Sequence, residues 1–143
     1  MTAGESLVDS NVLVHAYVFL DRKKHDAAKA VVLPIWESGG GVTSQQNLGE
    51  FFAVATKVMD HPLPAGVVGG LISEILSSKR WSVIDRGPTT ILRAIEHVKL
   101  HGVHFWDALI AATMLEHGVR TIVTENERDF KKIPGLRVVN PFK

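Results

Sequence analysis

The sequence predicts an α/β fold built as one domain over residues 1–143, and three observations carry that expectation. Apolar periodicity switches repeatedly between short runs rich in β-branched residues and longer runs of helical period, which favours strand and helix in alternation. Glycine and proline clusters fall between those runs, where turns belong. A length of 143 residues with 45% hydrophobic content suits one well-filled core, and no repeat, low-complexity tract or linker divides it.

The elements follow in order. Ser6 to Asp9 reads as the first strand, and Asn11 to Asp21 as a helix with Asn11 as its cap. A second helix spans Lys23 to Glu37 despite Pro34 and ends at the glycine run 39–41. The segment GVTS is a short strand, after which Ser44 caps a helix running from Gln45 to Asp60. The HPLP segment breaks it, and a further helix covers Ala65 to Ser78. The strand WSVID comes next; Pro88 then suits the first turn of a helix reaching His101. Phe105 to His117 forms another helix, closed by Gly118. The strand TIVT, a helical turn over Glu127 to Lys131 and the strand LRVV complete the chain.

Bulk chemistry removes several function classes. Sixteen basic and 15 acidic residues leave a formal charge of +1, so no whole-molecule field advertises nucleic acid. From Arg120 to Lys143 six basic residues face three acids, an excess that suits either phosphate neutralisation or a solvated face. The absence of cysteine excludes disulfides, thiolate nucleophiles and thiolate metal sites. The N-terminus MTAGESLVDS has no basic leader region and no apolar stretch reaches the length of a membrane span, so a cytoplasmic protein is expected.

Four carboxylates stand at the ends of apolar runs: Asp9, Glu50, Asp107 and Asp129. An acid after a β-branched run emerges where a strand reaches its carboxyl edge, which is where open α/β sheets bind ligands. Taken singly each has an ordinary explanation. Asp9 can merely cap a helix, Glu50 can be a rim glutamate, and Asp107 can complement a helix dipole. Glu50 nevertheless abuts an apolar side marked by Phe51 and Phe52, after Gly49, whose missing side chain allows close approach. Glu125, Asn126, Glu127 and Asp129 crowd one turn after Thr124, a density hard to assign to surface decoration. Clustered carboxylates repel unless a cation joins them, and hard divalent cations take such oxygen ligands.

In the order LVDSNVLVHAY (7–17), NLGEFF (47–52), WDALIAATMLEHG (106–118) and TENERDF (124–130), these blocks resemble the PIN-domain nucleases, especially the VapC-type toxins of toxin–antitoxin pairs. The resemblance implies a three-layer α/β/α sandwich with a central parallel sheet of four to five strands. It implies Mg²⁺- or Mn²⁺-dependent endonucleolytic cleavage of RNA, a homodimer, and inhibition by a cognate antitoxin protein. By matching position, Asp9, Glu50 and Asp107 would be the principal acids. The family often places an aspartate where this chain has Asn126, so the fourth place falls to Asn126 through its carbonyl oxygen or to Asp129. Asn11 and Thr124 would orient the acids by hydrogen bonds. Lys131 and Lys132 are candidates for RNA contact.

Other signals are weaker. The seven histidines lack a His-Glu-x-x-His pattern, and only His97 and His101 share a helical face. Glycines 66, 69 and 70 follow no strand and precede no Gly-Lys-Ser or Gly-Lys-Thr. Asp9 as an aspartyl nucleophile would resemble the haloacid-dehalogenase pattern, which wants a second acid at position 11, where Asn stands. The functions expected are therefore a metal-dependent endoribonuclease, a non-catalytic PIN-like module binding RNA or protein, and, third, a phosphomonoesterase.

Overall fold

Five short runs of β-branched and apolar residues pair into one all-parallel sheet in a computed structural model that describes residues 5–143. Residues 1–4, on which the expectation about a leader partly rests, lie outside the described residues. In chain order the elements are β1 (Ser6–Val8), α1 (Ser10–Tyr17), α2 (Arg22–Ser38), β2 (Gly41–Ser44), α3 (Gln45–Ala55), α4 (Ala65–Ser77), β3 (Trp81–Ile84), α5 (Thr90–His101), α6 (Phe105–Glu116), β4 (Thr121–Val123), α7 (Glu127–Phe130) and β5 (Arg137–Val139).

The strand order is β3-β2-β1-β4-β5, with Leu7 beside Val42 on one flank and beside Ile122 on the other. The chain therefore winds outward from β1 to β3, then returns across the sheet to lay β4 on the opposite side of β1. That reversal makes the carboxyl ends of β1 and β4 the switch point, the place where such sheets open a ligand crevice. Because right-handed crossovers change face when direction reverses, the two halves cover opposite faces of the sheet. Alternate residues record this. Leu7, Ile122, Val42 and Ile84 pack in one core cluster with residues of α5 and α6, whereas Val8, Val123 and Trp81 pack with α1 to α4. Strands covered on both faces read as continuous apolar runs, as these do.

Helix α6 is buried all round: every residue from Ala108 to Met114 is buried. Its alanines at 108, 111 and 112 let it sit close to its neighbours, which sets Asp107, in its first turn, at the edge of the sheet.

Several boundaries differ from the sequence reading. Helix α1 is capped by Asp9, not Asn11, and stops at Tyr17, because Asp21 begins a new helix by accepting from Lys24 N at 2.9 Å. Helix α3 ends at Ala55, whose carbonyl is taken by Leu63 N at 2.9 Å as the two prolines of HPLP turn the chain back. Pro88 stands in a turn before α5; Thr90 opens that helix, its hydroxyl accepting from Gly87 N at 2.8 Å. Ser44 caps α3 as read, and Pro34 lies within α2.

Gly41 marks a close approach of layers. A Cβ there would clash with Ile35 Cγ2 and stand 2.9 Å from Trp81 Cε3, and neither group is the free end of a flexible chain. Gly41→Ala should cost about 1–3 kcal/mol by overpacking. Gly49→Ala, in a helix interior with nothing within 4 Å of the new Cβ, should instead gain roughly 0.5–1 kcal/mol. Urea melts of both variants check this; equal midpoints would refute the packing argument.

Candidate active site at the carboxyl edge of the sheet

Asp9 leaves β1 as the last strand residue turns into α1, and its own N–H still donates to Val123 O of β4 at 3.0 Å. The residue is only 4% exposed, yet the groups that hydrogen-bond its carboxylate, from Ser10, Asn11, Asn47 and Thr124, are neutral. Oδ1 accepts from Ser10 N (2.8 Å), Ser10 Oγ (3.3 Å) and Asn47 Nδ2 (2.9 Å); Oδ2 accepts from Thr124 Oγ1 (2.7 Å) and Asn11 Nδ2 (3.3 Å). Burial pushes the Asp9 pKa up, and the hydrogen bonds, Thr124 first, offset part of that rise.

The donors are themselves held. Thr124 is fully buried, and its hydroxyl donates to Asp9 while accepting from Asn11 Nδ2 at 3.2 Å and Asn126 N at 3.0 Å, which uses its whole bonding capacity. Asn11 Oδ1 accepts from Glu125 N at 3.1 Å. Asn47 is likewise fully buried: its Oδ1 accepts from Ser44 Oγ at 2.6 Å while its N–H donates to that same hydroxyl at 3.1 Å. The helix cap of α3 and the clamp on Asp9 are thus one assembly.

Glu50 lies one turn beyond Asn47 on α3. It accepts from Ser10 Oγ at 3.4 Å, so one hydroxyl proton lies between Asp9 and Glu50. Burial, and then the charge of Asp9, raise the Glu50 pKa. Asp107, the third residue of α6, accepts from Asn126 Nδ2 at 2.7 Å and is within hydrogen-bond reach of Asp129 on α7. Its pKa is pushed up to about 7 by burial, by a hydrogen bond with Asp129, and by the charges of Asp9 and Asp129. His104, the residue capping α6, opposes that rise.

All four acids singled out in the sequence thus meet, in pairs, around Asp9 and Asp107, with Asn11, Thr124 and Asn126 bonded between them. The sequence reading missed Asn47 and Ser10, and Asn47 had a signal: an asparagine three residues before Glu50 and three after the capping Ser44 shares their face of one helix. The acid density after Thr124 has a plainer cause than expected. Glu125 pairs with Lys24, and Glu127 holds Lys131 at 2.8 Å, Lys143 at 2.6 Å and Asn140 at 3.1 Å, which lowers its pKa to about 2. Only Asp129 turns to the site. Lys131 is therefore engaged within the fold, while Lys132 is exposed.

The donor set suits a hard cation. Among the described residues the ion pairs lie elsewhere, so no lysine or arginine neutralises Asp9, Glu50, Asp107 or Asp129. Among the described residues, too, no three of the histidine, aspartate and glutamate side chains close into a metal cage by themselves. A Mg²⁺-type ion does not need one, since it is commonly held by one or two carboxylates with water and phosphate completing its shell. A depression of about 610 Å³ lies between α5 and α6 beside His97 and His101 and contains none of these acids. Of the four acids, Glu50 borders an open depression of about 370 Å³ with Gln46, Gly49, Ala53 and Trp106.

Comparison with known proteins agrees with this architecture. The sequence profile of the PIN domain matches residues 6–136. No curated protein sequence is significantly similar. Among solved structures, the fold is similar to a toxin–antitoxin complex from Klebsiella pneumoniae, with a TM-score of 0.64 and 24% identity over 95% of this chain and 97% of that one. It is similar to the DNA-bound VapBC of Salmonella typhimurium, with a TM-score of 0.67 and 19% identity over 97% and 99%. It is also similar to VapC20 of Mycobacterium tuberculosis, described as a Sarcin-Ricin loop cleaving toxin, with a TM-score of 0.61 and 21% identity over 81% and 85%. With the family's profile matched across nearly the whole chain and its parallel sheet in place, this chain belongs to the PIN-domain family.

Proposed function

We propose that this chain is a divalent-metal-dependent endoribonuclease and acts as the toxin of a type II toxin–antitoxin pair. The observation that carries the reading is the meeting of Asp9, Glu50, Asp107 and Asp129 at the switch point of the sheet with no lysine or arginine among the described residues paired to them. Membership of the PIN-domain family and the likeness to toxins solved with their antitoxins support it. A homodimer, an inhibitory partner protein and a cytoplasmic place of action belong to the same reading. No helix among the described residues is long and apolar enough to cross a membrane.

In this reading Asp9, Glu50 and Asp107 hold Mg²⁺ or Mn²⁺, with Asp129 as the fourth acid. Such an ion, when bound, supplies Lewis acidity and neutralises the negative charge that builds on a phosphodiester under attack by water. The rest is the work of the chain. Asn47, Thr124, Asn11 and Ser10 fix both oxygens of Asp9, so its lone pairs need no reorganisation when charge arrives. Asn126 fixes Oδ2 of Asp107, and Asp107, beside Asp129, can hold or release a proton near neutrality. Asn126 also keeps a second reading alive, a non-catalytic PIN-like module, because it is neutral where many relatives have an acid.

Asp9→Asn should abolish RNA cleavage that is sensitive to EDTA, and should abolish Mn²⁺ binding by calorimetry. Unchanged cleavage in that variant would sink the site assignment, and a wild-type chain that binds RNA but no Mn²⁺ would favour the non-catalytic module. Asn47→Ala, which removes an orienting donor without touching an acid, should weaken Mn²⁺ binding about 10–100-fold.

A third outcome concerns pH. Asp107, raised from 3.8 to about 7, keeps a proton in the folded state over a range where the unfolded chain has released it. The folded state therefore gains stability as pH falls through 7 and loses it as pH rises. In EDTA the wild-type Tm should be higher at about pH 6 than at about pH 8, beyond the change seen in Asp107→Asn. The comparison with that variant is needed because His15 and His97, whose pKa values burial lowers, act in the opposite sense. Mn²⁺ affinity should rise from pH 6 to 8 with proton release on binding; identical pH profiles for wild type and Asp107→Asn would refute the raised Asp107 pKa.

A further inference from the structure

Trp106 is the one tryptophan that the fold leaves on the surface. Trp36 and Trp81 pack edge to face at 5.9 Å, Trp36 Nε1 donates to Tyr17 Oη at 2.8 Å, and Trp81 is 6% exposed. Trp106 is 52% exposed although it occupies the first turn of the most buried helix, directly before Asp107. Burying an indole is among the larger apolar gains available to a chain, so an exposed one beside functional acids calls for a use.

Its setting is specific. Gln46 Nε2 of α3 donates to the Trp106 carbonyl at 3.1 Å, which ties the start of α6 to the first turn of α3. The two helices then border an open depression of about 370 Å³ lined by Gln46, Gly49, Glu50, Ala53 and Trp106. The α3 side of it is made by small residues: Ala53 is exposed, and a Cβ on Gly49 would meet nothing within 4 Å. The depression thus has an indole on one wall, empty space over Gly49 and Ala53, and Glu50 of the acid site on its border. An aromatic wall with open space beside it accepts a flat ring, and every nucleobase has one.

We propose that the Trp106 indole stacks an unpaired base of the RNA next to the phosphate presented to the acids. The assignment rests on the nuclease reading above and adds to it a requirement for a single-stranded nucleotide at the cut, since a base inside a duplex has no free face to offer. Arginine and lysine are not the anchors here; the contact is sequence-tolerant and apolar, and it places the strand through the base rather than through charge.

Binding of a fluorescein-labelled single-stranded oligoribonucleotide in EDTA at low ionic strength, read by anisotropy, separates this contact from catalysis. Trp106→Ala should weaken binding about tenfold or more, Trp106→Phe should restore most of it, and Gly49→Leu should weaken it by filling the space opposite the indole. Binding of the same sequence as a duplex should not respond to Trp106→Ala. Equal single-strand affinity for wild type and Trp106→Ala, or equal loss for single strand and duplex, overturns the proposal. So does a change in sedimentation of Trp106→Ala with RNA affinity intact, which would make the indole part of a protein interface. A wild-type chain that cleaves RNA while Trp106→Ala binds it normally removes only the stacking contact; one that binds RNA through Trp106 without cleaving removes only the nuclease reading. Failure of the wild type to bind RNA overturns both.

Discussion

The hydrogen bond from Thr124 Oγ1 to Asp9 Oδ2, 2.7 Å across the switch point of the sheet, is the interaction around which the rest is arranged. It joins the ends of β1 and β4, strands adjacent in space and 115 residues apart in the chain. Asn47 brings α3 to the same carboxylate, and Asn11 brings the first turn of α1. Four elements therefore share one buried group. A buried carboxylate is costly unless compensated, and the usual compensation is a lysine or arginine. Here it comes from neutral donors only, which steady the charge without cancelling it.

That choice governs the other acids. Glu50 and Asp107 feel Asp9 as a like charge, and both are harder to ionise for it. Asn126 gains a physical meaning in this setting. A carboxylate in its place would set one more negative charge at hydrogen-bond distance from Asp107, where the amide instead donates at 2.7 Å. An amide at this position thus gives Asp107 an orienting neighbour in place of a repulsive one, and Asp129 approaches the same carboxyl from α7.

The order of strands and helices was legible because both faces of the sheet are covered, so strands read as apolar runs and helices as periodic ones. Asp9, Glu50 and Asp107 were legible because each follows or opens such a run. What could not be read locally depended on distant partners. Asn47 acts on a carboxylate 38 residues away, and its burial follows from the packing of α3, not from its neighbours in sequence. Glu125 and Glu127 looked like site acids until Lys24 from α2 and Lys143 from the C-terminal tail were seen to hold them. Helix ends failed for the same reason: Asp21, the carbonyl of Ala55 and the hydroxyl of Thr90 are each claimed by a specific backbone partner that periodicity does not encode.

Concentrating negative charge at one edge links the stability of this fold to whatever neutralises that edge. A cation that binds the assembled acids binds the folded chain and finds no such cluster in the unfolded one, so occupancy adds directly to stability. The neutral clamp on Asp9 is what makes this tolerable in the cation's absence, because each oxygen keeps its donors while the charge is unpaired. Protonation near pH 7 at Asp107 is the second relief, available because burial, a hydrogen bond with Asp129 and the charges of Asp9 and Asp129 all favour its neutral form.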